Sequence, residues 1–460
     1  MKIAIIGGGG VRSMFLAKSI ALRSADLGIT SLAFMDNNSE KLRIFGGMAS
    51  CLAKLLAPDL EVITSTDPAA VLNGADYVIT TIRPGGDALR VRDERTALAE
   101  GVLGQETTGA AGFSFAMRSI PALVFYCGLI KKYARSGVKV FNFTNPAGLV
   151  SQALCDLGYN FCYGICDAPS GMLHQFAAFY GAQAGEISGE LYGLNHLSFF
   201  KSIKLRGKEI MDSLIASPEA YAKTDLRFFE QDLLRHIRCV PNEYLYYYFY
   251  PEKALANIKK AGKTRGEIIE EVNRGMMKEL DGLDIENDFD KCLEIYEKWY
   301  SRREDSYMAG ETGIHRDKPW SFDIHAPDSG GYAGVALEFI DIVRNSRAGE
   351  KKKTMILCVP NRKSIAGLED GDVVEVSCDI NAEGPLPHRF EEIDEQRLEQ
   401  IRRVKIYERL AARAILEKDQ SLAADALMLH PLVNSYSIAK VLAAKYTEYN
   451  APFFDGTYTP

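Results

Sequence analysis

The chain has 460 residues, with 54 Lys and Arg against 61 Asp and Glu, a formal charge of −7. That mild acidity excludes a nucleic-acid binder, whose phosphate contacts need a basic face. Hydrophobic residues at 47% and charged residues at 25% are ordinary for a globular chain, with length for about three domains or two large lobes. A chain of this size buries a full core without disulfides or a structural metal. The nine cysteines are scattered, with no CxxC pair and no zinc spacing. Met1-Lys2 runs directly into an apolar strand without a signal-peptide layout, and no run of 18 apolar residues predicts a membrane span. A reduced, cytoplasmic protein is expected, and in that compartment a singled-out cysteine is a ligand or a nucleophile before it is half of a disulfide.

Lys2–Ile6 is an apolar strand ending in Gly7-Gly8-Gly9-Gly10. Residues 11–25 carry helical spacing, Ser31–Met35 is a second strand closed by Asp36, and a helix is expected over 40–56. Strands follow at Glu61–Thr64 and Tyr77–Ile82, then a long helix near Met117–Arg135 and strands at Val138–Phe143 and Phe161–Cys166. Strand–helix alternation of this kind demands right-handed crossovers and a buried parallel sheet. Residues 1–170 are therefore expected to form an α/β, Rossmann-like doubly wound domain. The remainder, 171–460, reads as one α+β lobe. Glu190–Leu205 alternates with period two like an antiparallel pair, 218–303 and 392–448 are helical, and Lys353–Val359 and Val373–Asp379 are strands.

The G-x-G of Gly7 and Gly9, followed by an acid at the end of the second strand, is a dinucleotide signature. Glycines admit a pyrophosphate at a helix N-terminus, and Asp36 accepts from the ribose hydroxyls, which favours NAD over NADP. Arg12 stands where the third glycine would be. Cys166, in Gly164-Ile-Cys-Asp-Ala-Pro169, ends a parallel strand, and His196 closes Gly193-Leu-Asn-His196. A thiolate and an imidazole can share a divalent metal with positions left open for substrate oxygens, although single cysteines and histidines are more often packed structural residues. Between the strand Tyr77–Ile82 and the long helix lies a polar, glycine-rich segment: Arg83-Pro-Gly-Gly86, Arg90-Val-Arg-Asp-Glu94, Gly104-Gln-Glu-Thr-Thr-Gly109 and Gly112. Such a segment is expected on the surface or lining a cleft rather than in the core.

Together with Asn142-Phe-Thr-Asn-Pro-Ala147, Thr264-Arg-Gly-Glu267, Gly330-Gly-Tyr332 and Asp372-Val-Val-Glu-Val376, that segment closely resembles glycoside hydrolase family 4, from Lys2 to about Asp379. The family comprises NAD- and metal-dependent 6-phospho-glucosidases, α-galactosidases and α-glucuronidases. The resemblance implies a Mn²⁺ or other divalent ion on Cys166 and His196, and NAD along Gly7, Gly9, Gly10, Asp36 and Arg83. It implies no carboxylate pair of the usual glycosidase kind. The expected route is hydride transfer from the sugar C3 to NAD⁺, removal of the acidified C2 proton by a tyrosine, elimination of the aglycone, addition of water at C1 and return of the hydride. Within Pro241-Asn-Glu-Tyr244-Leu-Tyr-Tyr-Tyr248 the family pattern selects Tyr244 as the base. A metal or cation beside it is expected to lower its pKa, and packing is expected for Tyr246, Tyr247, Tyr248 and Tyr250.

By the same resemblance Arg90 and Arg265 match positions that grip a 6-phosphate, a task suited to bidentate guanidiniums. Asn145, Asn195 and Glu106 complete the expected substrate set. Where the family usually has Gly-Gly-Gly-Ser, Gly10 replaces the serine, so a uronate or the 6-sulfonate of a sulfoquinovoside stays open beside phosphate. Asp167 after the cysteine matches 6-phospho-α-glucosidases, in which it would protonate the leaving group, whereas Arg-Pro-Gly-Gly looks more like the β-type. The reading leans to α. Family members are usually homodimers or homotetramers. The rival readings are a lactate/malate-type NAD dehydrogenase, for which no matching histidine and arginine set is found, and an NAD-sensing regulator, which would not need Cys166 and His196 together.

Overall fold

The structure, a computed structural model, describes all residues except 317–319, 327–330, 346–352, 382 and 455–460. Gly330 and the Tyr332 side chain of the Gly-Gly-Tyr motif therefore lie outside the described residues. Six strands come first: β1 (Lys2–Ile6), β2 (Ser31–Met35), β3 (Glu61–Ser65), β4 (Tyr77–Thr80), β5 (Lys139–Asn142) and β6 (Cys162–Gly164). An antiparallel hairpin, β7 (Ile187–Leu194) and β8 (Leu197–Leu205), is flanked by the short β9 (Lys208–Glu209) and β10 (Val240–Pro241). The last three are β11 (Lys353–Pro360), β12 (Val373–Asn381) and β13 (Gly384–Pro387).

Strands β1 to β6 are parallel, and one nine-stranded sheet runs in the order β13-β12-β11-β6-β5-β4-β1-β2-β3. β2 is buried at all five positions and β1 at four, because helices cover both faces and leave no wet side to alternate toward. The chain winds outward from β1 in both directions, so the switch point, where such sheets bind ligands, lies between β1 and β4. The final three strands join antiparallel to β6, so the sheet begun by the first half is completed from beyond residue 350. The hairpin packs over β12, where the Leu191 N–H donates to Ser377 Oγ at 2.9 Å.

Three elements differ from expectation. The helix expected over 40–56 is a short turn, Ser39–Lys41, a π-helical turn, Leu42–Gly46, and a helix, Gly47–Leu56. The long helix starts at Gly109 and runs to Tyr133. By length and composition alone it could cross a membrane, yet 72% of its most apolar window is inside the protein, as in a buried core helix. The Arg90–Glu94 segment, expected on the surface or lining a cleft, belongs to the helix Gly86–Ala99: Arg90 lines the cleft, but Arg90, Asp93 and Glu94 are all buried. Ion pairing makes that burial tolerable. Arg118 of the long helix meets Asp93 at 2.5 Å and Asn450 Oδ1 at 2.8 Å, and donates to Pro84 O at 3.0 Å.

Candidate active site

A cleft of about 740 Å³ opens at the switch point. At its nucleotide end the Gly7 and Gly8 N–H groups donate to Met35 O at 2.9 and 2.7 Å, binding the turn to the end of β2. Gly7 has φ +104°, and a Cβ at Gly9 would stand 2.9 Å from the Asp36 carboxyl, so this turn needs glycine at both places. Asp36 accepts from the N–H groups of Gly9 (3.0 Å) and Asn38 (2.9 Å). Burial pushes its carboxyl above the ordinary value, while those two backbone donors oppose the shift. Gly7, Gly9, Gly10 and Asp36 all line the cleft. The bare backbone and held carboxylate form a cradle that fits a dinucleotide.

Arg12, beyond the glycine turn, reaches toward the chemistry. Its Nη1 lies 3.7 Å from Asp167 Oδ2, and Tyr300, Glu304 and Tyr244 also act on it electrostatically. Burial pushes the Asp167 carboxyl up, and Arg12 works against that. Both line the cleft, as does Tyr244.

Cys166 and His196 lie beneath the lining. Cys166 follows β6, and His196 occupies the tight turn between β7 and β8 with φ +63°. Cys166 Sγ is 3.6 Å from His196 Nε2, a gap that one divalent ion can bridge with bonds of roughly 2.0–2.3 Å. Burial holds the imidazole neutral, with its pKa down at about 3, and its buried Nδ1 makes no protein hydrogen bond. Burial pushes the thiol up, as do Glu375 and Asp167. Among the described residues no group of three or more His, Cys, Asp or Glu is set to hold a metal. The pair fits an ion only as a two-donor site whose other positions are filled by water or substrate oxygens.

Tyr244 lies on the turn Glu243–Leu245, with its ring stacked 3.8 Å from the His196 ring centroid. Burial and the neighbouring Glu243 carboxylate push its phenol up, so the cation-lowered pKa expected from sequence is not what these side chains produce. Tyr246 Oη donates to Glu311 O, Tyr248 pairs with Thr108 Oγ1 and Tyr250 Oη accepts from the Glu230 N–H, all packing contacts. Tyr247 is buried but also lines the cleft.

The far end is rich in arginine. Arg90 holds Glu94 (2.9 Å) and Glu106 (2.8 Å), while Arg83 pairs with Glu106 on the other oxygen. Arg265 opens the helix Arg265–Leu280, whose Thr264 and Glu267 cap its N-terminus reciprocally. Its Nη2 donates to Arg303 O at 2.7 Å and its Nη1 to Ser306 Oγ. Burial, then repulsion from Arg303 and Arg90, pulls its guanidinium down to about 10. Cations that crowd one another inside a cleft are stabilised by an anion.

Of the residues selected from sequence, Arg83, Arg90, Glu106, Asn145 and Arg265 share the cleft wall with the glycine turn, Asp167 and Tyr244. Asn145 Oδ1 accepts from the Ala147 N–H. Asn195 is turned away from the wall. Its Nδ2 donates to Glu375 Oε1 at 3.0 Å. Glu106, with both oxygens on arginines, orders the wall rather than offering a free carboxylate. Sequence reading did not single out Glu243, Tyr307, Asp225, Arg303 or Glu304, all in the lining. Arg12 was visible only as a glycine missing from its place.

The doubly wound sheet with its glycine turn and charged cleft defines the class, a Rossmann-type enzyme. The chain belongs to glycosyl hydrolase family 4: the family 4 glycosyl hydrolase model matches residues 2–181 and the family's C-terminal domain matches residues 191–433. It is 28% identical to the 6-phospho-beta-glucosidase BglT of Thermotoga maritima over 98% of this chain and 99% of that one. It is 27% identical to the phospho-alpha-glucosidase PagL of Clostridium acetobutylicum, covering 98% of each. Among solved structures, the T. maritima 6-phospho-beta glucosidase with manganese, NAD⁺ and glucose-6-phosphate superposes with a TM-score of 0.80, at 27% identity over 99% of both chains. The match beyond residue 191 separates the chain from the lactate/malate-type reading, which rested on the Rossmann half.

Proposed function

We propose that the chain is a glycosidase of 6-phospho-glucosides that works by NAD-dependent oxidation at C3, elimination and water addition. The observation that carries this reading is Tyr244, which shares one cleft wall with the glycine turn and buried arginines while stacking on His196. Gly7, Gly9, Gly10 and Asp36 would hold NAD, and Cys166 and His196 would hold Mn²⁺ or another divalent ion. When bound, NAD takes and returns the C3 hydride and the metal polarises the 2- and 3-oxygens, which acidifies the C2 proton. Tyr244 removes that proton. Asp167, whose burial favours the protonated form, donates to the departing glycosidic oxygen. Arg90 and Arg265 bind the 6-phosphate, with Arg303 beside them.

Support for the α anomer comes from Asp167, which follows the cysteine and faces the cleft beside Arg12. The relatives named above include enzymes of both anomers. A cytoplasmic homodimer or homotetramer is the form we expect for the active protein. The test is release of nitrophenol from nitrophenyl 6-phospho-α- and 6-phospho-β-glucosides, with and without NAD⁺ and Mn²⁺. Release from the α-glucoside should require both additions and leave no net NADH. Release from unphosphorylated or sulfonated glycosides alone would overturn the phosphate reading, and release from the β-glucoside alone the lean to α.

A further inference from the structure

With Asn195, His196 forms the two-residue loop of the β7–β8 hairpin, between the paired Leu194 and Leu197. Its φ of +63° lies in the left-handed region, which a histidine adopts only at a cost. Such a loop needs holding, and a carboxyl from a distant segment holds it. Glu375, on β12 and 1% exposed, accepts from Asn195 Nδ2 at 3.0 Å on Oε1 and from Ser198 Oγ at 2.8 Å on Oε2. One oxygen grips the residue before His196, and the other grips the second residue after it. Ser198 carries the connection onward. Its carbonyl accepts from the Asn242 N–H at 2.8 Å, and Asn242 Oδ1 accepts from the Tyr244 N–H at 3.0 Å. The His196 and Tyr244 rings that these bonds bring together stack with an angle of 10° between their planes.

We infer that Glu375 is a positioning residue for the metal ligand: its two hydrogen bonds lock the Asn195-His196 loop so that the imidazole faces an ion shared with Cys166. The inference rests on the proposed role of His196 as a ligand. A ligating imidazole is ordinarily oriented through its second ring nitrogen, bonded to a carboxylate or a carbonyl. Among the described residues His196 Nδ1 has no such partner. Orientation therefore falls to the loop backbone and to the stack on Tyr244, and the bonds from Glu375 reach both. Anchoring the hairpin to β12 does not require Glu375, because Ser377 already does so: its Oγ accepts from the Leu191 N–H and donates to Gly189 O at 3.2 Å. The Glu375 bonds lie instead at the loop end. They also do not depend on charge. Burial raises the Glu375 carboxyl to about 7, and in either form one oxygen accepts from Asn195. The Ser198 hydroxyl donates to the carboxylate or accepts from the acid.

The test titrates Mn²⁺ into the full-length protein, with Glu375→Ala, Ser198→Ala, Glu375→Gln and His196→Ala as variants. Mn²⁺ binding is read from loss of the free-ion signal in electron paramagnetic resonance, and NAD⁺ binding from calorimetry. Removing a group that orients a metal ligand costs roughly 10–100-fold in affinity. Glu375→Ala should weaken Mn²⁺ binding by such a factor, and Ser198→Ala, which deletes one hydroxyl, by the lower end of it. NAD⁺ should bind both variants as it binds the wild type. Glu375→Gln should keep nearly wild-type Mn²⁺ affinity, because its amide accepts from Asn195 and donates to Ser198 Oγ. If Glu375→Ala is insoluble, Ser198→Ala and Glu375→Gln decide. Wild-type Mn²⁺ affinity in either alanine variant overturns the inference. So does a parallel loss of NAD⁺ affinity, or a glutamine variant as weak as the alanine variants. Unchanged Mn²⁺ binding in His196→Ala removes the ligand assignment on which the inference rests.

Discussion

At the residue scale the site is a set of charges whose partners are arranged before any substrate arrives. Glu94 and Glu106 fix Arg90, and Arg265 is fixed by the carbonyl of Arg303 and the hydroxyl of Ser306. A guanidinium held in place loses little freedom on gripping an anion. Arg265→Ala should raise KM for a 6-phospho-glucoside by roughly 10- to 150-fold, the equivalent of about 1.5–3 kcal/mol for a hydrogen bond to a charged group. An unphosphorylated glycoside should be affected far less. Steady-state kinetics on the paired substrates makes the check, and equal losses on both would refute a phosphate contact. The residues legible in sequence were those with short-range signatures. Gly9 and Asp36 announce themselves because a strand, a glycine turn and an acid recur at fixed spacing. Tyr307 and Asp225 carry no local signature, since each reaches Glu243 from a distant segment.

At the scale of elements, the helix Gly86–Ala99 shows why composition misled. Its polarity reads as surface or cleft lining, but Asp93 is paired internally with Arg118, and Tyr449 donates to the same carboxylate at 2.6 Å. Removing one member leaves the other charge buried without its partner. Arg118→Met should therefore cost about 3–5 kcal/mol, measured as a shift in the urea midpoint. Little shift would mean that Asp93 is satisfied without it. His430 marks the opposite end of the same packing. Its Nε2 accepts from the Gly109 N–H at 3.2 Å, at the start of the long helix. Burial, with Arg403 assisting, depresses its pKa to about 3. Unfolded, a histidine titrates near 6.5, so between about pH 6.5 and 3 the unfolded chain binds the extra proton. Stability from this group is present above that window and lost as pH falls through it. A His430→Gln variant should lose less stability than the wild type between pH 6.5 and pH 5 in denaturant titrations. Parallel losses would show that the imidazole is not held neutral.

At the scale of the whole molecule, the parallel half was legible because strands buried on both faces read as continuous apolar runs. The Lys353–Val359 and Val373–Asp379 strands were also visible. Their destination was not, because nothing local in β11 says that Cys358 pairs with Gly164 of β6, nearly two hundred residues earlier. That pairing places the second half of the chain against the strand leading to Cys166, while the β7–β8 turn brings in His196 from the other side. Each thus depends on long-range closure, although both were visible as residues. This closure assembles the site at which we propose elimination through C2. The most direct measurement is deuterium at C2 of the sugar 6-phosphate released when a 6-phospho-glucoside is cleaved in D₂O with NAD⁺ and Mn²⁺. Deuterium is expected at C2, dependent on both additions and with no net NADH. Sugar released with its original C2 hydrogen, at a rate indifferent to NAD⁺, would contradict it.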